Sequence, residues 1–403
     1  MKYRKFGKLD WKASVLGFGC MRLPLIDDDY SKIDEPEATK MIHYAIDNGI
    51  NYLDTAYNYH QGNSEVFLGK ALQNGYREKV KLATKLLPIE VKQYEDFDKL
   101  LNEQLEKLQT DYVDFYLLHG INRRWFPKLR DLGVLKWAEG AIEDGRIKHL
   151  GFSFHDELDI FKKIVDSYEN WTFCQILYNY MSSEYQAGTL GLKYAAAKGL
   201  AVVIMSPLLG SWLAKAPQAV QDIWDTAPVK RSSAEWGLQW LWNQPEVSVV
   251  LSGMSTMEVV QENINSAKTS AIGKLTKEEL AIINKAREVY HRLREIPCNS
   301  CGYCMDCPNG VDIPYNFKLF NEGSMYENVQ RARGWYRFMV DGYEGDYHRE
   351  KGQAVKCTQC RECELKCPQN IAISEWMPIV HQVLGERKSY DDFPKPKQLV
   401  PKR

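Results

Sequence analysis

Cysteine placement is the feature that most constrains this chain. Eight of its ten cysteines fall in two short runs near the C-terminus, and a proline follows each run directly. The runs consist of Cys298, Cys301, Cys304 and Cys307 before Pro308, and of Cys357, Cys360, Cys363 and Cys367 before Pro368. Steps of about three residues let one loop wrap successive thiolates around one inorganic cube, as in bacterial 4Fe–4S sites. The sequence therefore predicts two 4Fe–4S clusters.

Zinc binding and disulfide bonds are the two alternative roles for cysteines at such spacings. Structural zinc also suits C-x2-C pairs, whereas a disulfide framework belongs to small secreted domains. The second run matches the bacterial pattern C-x2-C-x2-C-x3-C-P in full, and the first run is one residue short before Cys307. Two complete runs closed by Cys-Pro favour clusters. In two-cluster ferredoxins the last cysteine of a run ligates the other cluster, so Cys307 and Cys367 are candidates for exchanged ligands.

Length and charge narrow the class of protein. The 403 residues are enough for one large domain and one small domain. A net charge of −1 gives no electrostatic case for binding nucleic acid or an anionic membrane. No apolar stretch approaches the roughly 20 residues that span a bilayer, and the N-terminus has no apolar signal segment. We therefore predict a cytoplasmic protein without nucleic-acid or membrane partners.

Up to about residue 290, short β-branched runs alternate with amphipathic helical patterns. The predicted strands span residues 15–18, 50–53, 80–84, 113–118, 147–152, 173–176, 201–205 and 247–251. Helical patterns cover residues 37–48, 64–73, 94–109, 135–144, 157–167, 186–198 and 232–243. Eight strands alternating with helices predict an α/β fold, a (β/α)8 TIM barrel. The alternative, an open doubly wound sheet, lacks a G-x-G-x-x-G motif after the first strand.

Three domains follow from this pattern. We assign the barrel to residues 1–290, a small, mainly α-helical ferredoxin-like iron–sulfur domain to 291–392, and a loose tail to 393–403. A connecting helix over 276–293 begins with a capping box, Thr276 to Glu279, and Pro297 ends it before the first cysteine run. The interval 308–356 carries helix-like patterning, which is why the second domain is expected to be helical.

Polar residues lie at the ends of three successive predicted strands. Asp54 ends the second strand with Tyr59 five residues later, Lys85 ends the third strand, and His119 ends the fourth. In a (β/α)8 barrel the active site lies at the C-terminal ends of the strands. We therefore expect these four side chains to converge on one cavity.

The surrounding motifs are similar to those of a known family. They are Leu16-Gly17-Phe18-Gly19, Asp54-Thr55-Ala56 with Tyr59, Gly62-Asn63-Ser64-Glu65, Ala83-Thr84-Lys85, Leu117-Leu118-His119, Ser206-Pro207-Leu208, and Gly253-Met254-Ser255 with Glu262-Asn263. Residues 1 to about 290 resemble the aldo-keto reductase superfamily. With its cysteine-rich tail, the whole chain resembles the branch that carries a C-terminal 4Fe–4S ferredoxin-type domain.

The resemblance implies a catalytic tetrad of Asp54, Tyr59, Lys85 and His119. Reducing a carbonyl requires a hydride on carbon and a proton on oxygen, and a free phenol with a pKa of about 10 is a poor acid near neutrality. Lys85 is expected to stabilise the phenolate of Tyr59 and lower its pKa. Asp54 would hold the ammonium of Lys85, and His119 would donate a hydrogen bond to the carbonyl oxygen.

The resemblance also implies a nicotinamide cofactor. Ser153 and Gln175 would hold its carboxamide and Met205 would pack on its ring, although the family usually has Asn where Phe154 stands and an aromatic residue where Met205 stands. The remaining contacts are Ser206 and Leu208 along the pyrophosphate and Gly253, Ser255, Glu262 and Asn263 at the adenosine end. Residues 253–261 contain no Lys or Arg, which favours NAD over NADP unless Lys230, Arg231 or Lys268 reaches the site.

Three functions are compatible with these residues. The first is an oxidoreductase interconverting carbonyls and alcohols by hydride transfer, with Tyr59 as general acid/base and two clusters that are structural or serve a redox protein partner. The second is an iron–sulfur electron-transfer reductase using cluster electrons through a bound flavin, for which a barrel's phosphate-binding rim is a suitable place. The third is a non-enzymatic redox-sensing or docking module. The intact tetrad favours the first.

Overall fold

The structure, a computed structural model, describes residues 1–341 and 352–399. Its residue contacts divide the chain into two compact units, one of residues 1–211 and 231–279 and one of residues 212–230 and 280 onward. The predicted boundary near residue 290 and the loose tail stay predictions. The last four tail residues, 400–403, and part of the predicted helical interval, 342–351, lie outside the described residues.

A closed barrel of eight parallel strands forms the first unit, in residues that are all described. In chain order these strands are β3 (Leu16–Gly19), β4 (Tyr52–Asp54), β5 (Lys81–Leu86), β6 (Val113–Ile121), β7 (Ile147–Phe154), β8 (Phe173–Leu177), β9 (Ala201–Met205) and β10 (Val247–Ser252). Neighbours in sequence pair in order, and β10 closes the ring on β3. The predicted TIM barrel is confirmed, because a closed ring excludes the open sheet.

Helices surround the strands of this unit. They are α1 (Glu35–Asp47), α2 (Asn63–Ala71), α3 (Glu95–Leu108), α4 (Trp125–Asp131), α5 (Val134–Glu143), α6 (Leu158–Asp166), α7 (Gly188–Ala197), α9 (Ser233–Trp242) and α10 (Met257–Lys268). The sequence patterns predicted all of them except α4 and α10. Thr256 caps α10 by accepting a hydrogen bond from the Val259 N–H at 3.4 Å.

An N-terminal hairpin that the patterns did not predict precedes the barrel. Its strands are β1 (Tyr3–Lys5) and β2 (Lys12–Ser14), and Phe6 lies in the connection between them. The ring centroid of Phe6 is 4.7 Å from that of Phe115 and 5.6 Å from that of Phe173. Because Tyr52, Phe115 and Phe173 lie at or near the starts of their strands, these rings fill the N-terminal half of the barrel interior. The polar side chains of the interior therefore lie toward the C-terminal ends of the strands.

The second unit is mainly helical in its described part. It contains α8 (Gln218–Trp224), α12 (Ile313–Met325), α13 (Val329–Asp341), α14 (Glu362–Lys366) and α15 (Ile373–Leu384), while the division between units falls within α11 (Lys277–Arg292). Trp212 packs on Tyr326 with ring centroids 5.1 Å apart, which ties residues 212–230 to α12. Within the described ranges, no helix combines the length and apolarity needed to cross a membrane.

Candidate active site and iron–sulfur centre

Strand alternation brings the predicted site residues onto the inside of the barrel. Successive side chains of a strand point to opposite faces, so a residue two positions after an interior residue is also interior. Asp54 stands two positions after the interior Tyr52, Lys85 after Ala83, and His119 after Leu117. Ser153, Gln175 and Met205 have the same phase on β7, β8 and β9, following Gly151, Phe173 and Val203. All six therefore form the next layer above the apolar interior.

Lys85 is the centre of this layer. Its Nζ donates to Asp54 Oδ1 at 2.6 Å, to the Thr55 carbonyl at 2.6 Å and to the Tyr59 hydroxyl at 3.2 Å. The side chains of Lys85 and Asp54 are only 1% and 4% exposed. Three acceptors use all three ammonium protons, so the orientation of the ammonium group is fixed. The bond to Tyr59 is the longest of the three.

Tyr59 comes from the loop after β4, and the backbone next to it is unusual. His60 and Gln61 both have left-handed conformations, with φ of 52° and 55°. Such conformations cost about 1–3 kcal/mol each and persist when surrounding contacts hold them. The buried His60 stacks on Tyr30 with ring centroids 4.6 Å apart. This contact holds the turn that presents Tyr59 to Lys85.

His119 packs edge-on against the ring of Tyr59. Their ring centroids are 6.1 Å apart and the planes meet at 81°. His119 Nδ1 is buried without a hydrogen-bond partner in the described part of the chain. Asp54, Tyr59, Lys85 and His119 thus converge as the strand-end argument predicted, while their catalytic roles stay a prediction.

Burial dominates the electrostatics of these groups. It raises the pKa of Tyr59 well above its usual value, and the nearby carboxylate of Asp54 adds to the rise. The net shift of the Tyr59 pKa is therefore upward, opposite to the expected lowering, and burial is its main cause. Burial also raises the pKa of Asp54 against the opposing effect of Lys85, and it lowers the pKa of His119 well below its usual value, with help from Lys85. Near neutral pH, Tyr59 is a phenol that carries its proton and His119 is a neutral imidazole.

The predicted carboxamide contacts lie beside the tetrad. Gln175 Nε2 donates to Asp54 Oδ2 at 3.2 Å, which leaves its buried Oε1 without a partner among the described residues. The Ser153 hydroxyl accepts the Gly120 N–H at 2.7 Å. Gln175 therefore has a free acceptor, and Ser153 has a hydroxyl proton, that a carboxamide can use.

The other predicted cofactor residues follow β9 and β10. Ser206 has a left-handed φ of 53°, and its carbonyl accepts from Asn179 Nδ2 at 3.1 Å. The Leu208 side chain lies against α9, where a Cβ on Gly237 would come within 2.7 Å of it. Met205 is half-buried at the end of β9, and Ser255 is exposed.

A basic residue that the sequence argument missed lies beside Gly253. A Cβ added to Gly253 would meet the Arg22 side chain at 3.1 Å. Among the cations named earlier in the barrel unit, Arg231 is bound to Glu279 at 2.6 Å and lies 4.3 Å over the Trp236 ring. Separation in sequence hid Arg22, because only closure of β10 on β3 brings it to Gly253.

Polar contacts also fix the predicted adenosine end. Glu262 accepts from the Ser232 hydroxyl at 2.5 Å, and Asn263 Nδ2 donates to Ser252 Oγ at 3.0 Å. Ser232 is the N-cap of α9. These bonds tie α9 and β10 to α10, the helix that the sequence patterns did not predict.

The clustered cysteines line two cavities of the second unit. One is lined by Cys298, Cys301, Cys304 and Cys367, together with apolar residues of α12 and of the segment before α15. The other is lined by Cys307, Cys357, Cys360 and Cys363, with Cys304 also at its wall. Apart from Cys304, which lines both cavities, each cavity combines cysteines of one run with the last cysteine of the other run. In the described ranges, no three His, Cys, Asp or Glu side chains converge closely enough for a single metal ion.

Family comparisons agree with both units. A model of the Aldo/keto reductase family matches residues 15–288, more than half of the 403 residues, and the chain therefore belongs to that family. A model described as a 4Fe-4S dicluster domain matches residues 297–372. The chain is accordingly an oxidoreductase-family protein with a C-terminal 4Fe–4S domain.

Individual relatives cover the barrel. The chain is 28% identical over 314 residues to the uncharacterized oxidoreductase YqkF of Bacillus subtilis (strain 168), across 70% of this chain and 94% of that protein. Aldo-keto reductase AKR11C1 of Bacillus halodurans, in its holo form, is 26% identical with a TM-score of 0.60, across 71% of this chain and 96% of that chain. An aldo-keto reductase of Klebsiella pneumoniae solved in complex with NADPH is 22% identical with a TM-score of 0.58, across 70% and 94%.

Proposed function

We propose that the barrel interconverts small carbonyl compounds and alcohols with a nicotinamide cofactor, and that Tyr59 is its general acid/base. The observation that carries the proposal is the buried ammonium of Lys85 between Asp54 and Tyr59, at the barrel end where active sites of this fold lie. Structural ion pairs also occur in barrels. This one differs because its third proton points at a phenol whose ring packs edge-on against a histidine.

The groups of the chain supply what carbonyl reduction needs besides hydride. When bound, the nicotinamide supplies a hydride to the carbonyl carbon. The Tyr59 hydroxyl gives its proton to the carbonyl oxygen, and the Lys85 ammonium, which donates to the same phenol oxygen, stabilises the phenolate left behind. His119 is neutral and donates a hydrogen bond to the substrate oxygen as its charge grows. The high pKa of Tyr59 keeps the proton available until a substrate is present.

Residues near the tetrad are suited to hold the nicotinamide. Gln175 Oε1 and the Ser153 hydroxyl offer an acceptor and a donor on the same side of the barrel interior. Met205 offers a polarizable surface for the ring. Arg22 adds a cation beside Gly253, and this weakens the argument for NAD over NADP. The proposed cofactor is therefore NAD(H) or NADP(H). Occupancy by a flavin and a cytoplasmic location stay predictions.

For the second unit we propose two 4Fe–4S clusters with exchanged ligands. The first is held by Cys298, Cys301, Cys304 and Cys367 and the second by Cys357, Cys360, Cys363 and Cys307. Support comes from the two cysteine-lined cavities and from the match to a dicluster domain. A proline directly follows Cys307 and Cys367, the two cysteines that would ligate the cluster of the other run. A redox protein partner for these clusters stays a prediction.

Replacing the tyrosine tests the barrel chemistry. Tyr59→Phe removes only the hydroxyl, and we expect kcat with benzaldehyde and NADH or NADPH to fall by at least about 100-fold, the range of general acid catalysis. Iron content should be unchanged. The matched control is Tyr57→Phe, whose hydroxyl contacts Glu103 and not the tetrad, and it should retain its activity. A Tyr59→Phe protein with wild-type kcat would contradict the assignment.

An anaerobic titration separates the remaining functions. Iron, sulfide and flavin are quantified on one sample, and its clusters are followed by EPR as NADH and then NADPH is added. Oxidised clusters during aldehyde-dependent consumption of nicotinamide would mean that the barrel works alone. Reduced clusters together with stoichiometric flavin would favour the electron-transfer reductase.

A further inference from the structure

A buried carboxyl group lies behind the tetrad, on the side of β5 that faces away from the Lys85 side chain. Glu65 is in the first turn of α2 and has no exposed surface. Its Oε1 accepts from the Thr84 hydroxyl at 2.5 Å and from Gln104 Nε2 at 2.6 Å. Thr84 directly precedes Lys85, so the Glu65 carboxyl group binds the strand one residue before Lys85.

Gln104 carries this network to Lys85 itself. Its Nε2 lies 3.1 Å from the Lys85 carbonyl oxygen, and its Oε1 accepts from the Tyr116 hydroxyl at 2.7 Å. The Tyr116 bond fixes the orientation of the amide, because the nitrogen must then face Glu65 and Lys85. Side chains of α2, α3 and β6 thus form one hydrogen-bonded network, which reaches the Thr84 hydroxyl and the Lys85 carbonyl on β5.

The residue before Glu65 grips the other strand that Lys85 bridges. The Ser64 hydroxyl lies 2.8 Å from the Thr55 hydroxyl. The carbonyl of Thr55 is one of the three acceptors of Lys85 Nζ. The first turn of α2 therefore contacts Thr84, the residue before Lys85, and Thr55, whose carbonyl Lys85 binds.

We propose that Glu65 is a positioning residue that sets the place of Lys85 relative to Tyr59. The bond from Lys85 to Tyr59 is the longest that the ammonium makes, at 3.2 Å, so a shift of β5 weakens this bond first. Glu65 itself is fully buried and bonds to Thr84 and Gln104, not to a member of the tetrad. This role rests on the proposed acid/base function of Tyr59.

The charge of Glu65 changes near neutral pH. Burial raises its pKa to about 7, while the bonds from Thr84 and Gln104 and the charge of Lys107 oppose the rise and Glu103 adds to it. Its Oε2 is buried with no hydrogen-bond partner among the described residues. Lys85 on β5 and Tyr116 on β6 are further ionisable residues that contact this network through Gln104. The pKa of Tyr116 is raised well above its usual value by burial and by Glu65, so Tyr116 stays neutral.

The two charge states grip the strand differently. An ionised carboxylate attracts the Thr84 and Gln104 donors about twice as strongly as a neutral acceptor does. A protonated carboxyl group holds them less firmly, and a displacement at a catalytic site as small as 1 Å reduces rates by up to about 100-fold. We therefore expect kcat of the wild-type protein to rise with pH through an inflection near 7.

Glu65→Gln tests this inference because the amide mimics the protonated carboxyl group in shape. With benzaldehyde and saturating nicotinamide, we expect kcat at pH 8 to fall roughly tenfold, with KM within about twofold, and the inflection near pH 7 to disappear. At pH 5.5 the variant and the wild type should agree. Thr84→Val, which removes one donor to Glu65 and keeps the side-chain shape, should lower kcat in the same direction. Glu106→Gln, on the exposed face of α3, is the matched control.

A Glu65→Gln variant with the kcat and pH profile of the wild type would overturn the proposal, provided that the thermal unfolding midpoint and iron content are unchanged. If Glu65→Gln does not fold, Thr84→Val gives the same decision, and a wild-type profile for it would overturn the proposal. Failure of the proposed function looks different: Tyr59→Phe would then keep full activity, whatever Glu65→Gln does. A decrease in kcat for Glu65→Gln that is equal at pH 5.5 and pH 8 would also count against it, because a merely structural loss has no pH dependence near 7.

Discussion

Replacing Lys85 by methionine should destabilise the barrel more than most single changes. Methionine keeps much of the lysine stem, so the perturbation is the loss of the ammonium. Asp54 Oδ1 then loses its partner at 2.6 Å in a place where its side chain is 4% exposed, and the Thr55 carbonyl loses its donor. Breaking a buried ion pair from one side costs about 3–5 kcal/mol, and an unsatisfied buried carbonyl costs about 1–3 kcal/mol. Gln175 still donates to Asp54 Oδ2, which limits the loss. We expect Lys85→Met to lower the free energy of unfolding by about 3–5 kcal/mol.

Asp54→Asn in the same chain provides the matched comparison. Asp54→Asn removes the buried carboxylate that has lost its partner. The double variant Lys85→Met/Asp54→Asn should therefore be more stable than Lys85→Met alone by about 2 kcal/mol or more. Urea unfolding of the full chain, prepared anaerobically and followed by tryptophan fluorescence, measures both differences, and iron content serves as a control on the second unit.

The sign of the pH dependence gives a further check. Without Lys85, only the hydrogen bond from Gln175 opposes the burial that raises the pKa of Asp54. The folded protein then binds this proton more tightly than the unfolded chain does, so stability is lost as pH rises from the unfolded pKa through the folded one. Lys85→Met should therefore be less destabilising at pH 5 than at pH 8. A cost below about 1 kcal/mol, or a double variant no more stable than the single one, would refute the reasoning.

Two further predictions concern packing and cluster ligation. Gly69 on α2 faces the backbone of α3, where a Cβ would collide with a main-chain carbonyl, so Gly69→Ala should lower the free energy of unfolding by about 1–3 kcal/mol. Gly140 on α5 has open space instead, and Gly140→Ala should raise it by about 0.5–1 kcal/mol through helix propensity; urea unfolding distinguishes the two, and equal effects would contradict the packing. Cys298→Ala and Cys367→Ala, although 69 residues apart, should each remove the same cluster and leave the same EPR signal from the other. Different residual signals from the two variants would reject the exchanged ligands.

Much of the site was accessible from the sequence because strand periodicity is local. The two-residue period of a strand places Asp54 on the face of Tyr52, Lys85 on that of Ala83 and His119 on that of Leu117. Desolvation is not local, and this is why the predicted direction of the Tyr59 pKa was wrong. The neighbours that remove water from Tyr59 come from several strands and loops, and no spacing in the sequence reports how closely they pack.

Other features escaped for the same reason. The contact of Arg22 with Gly253 exists because β10 pairs with β3, which joins segments more than 200 residues apart. Glu65 was noted as part of a motif, but its bonds to Thr84 and Gln104 come from packing of α2 and α3 against β5. Helix α10 buries Asn263 and Ser266 among its apolar residues, so its apolar pattern is weak in the sequence.

By itself, the sequence determined the class of the protein: eight alternating strands and helices, a tetrad at the strand ends, and two thiolate-rich loops. These are properties of spacing along the chain, and spacing survives without knowledge of contacts. Only the tertiary structure decided which groups are buried from water and in which direction the pKa of Tyr59 shifts. It also decided how Glu65 and Gln104 support the strand of Lys85, and which cysteines share a cavity. Those properties depend on distances between remote residues and on the exclusion of water, and both arise only when the chain packs.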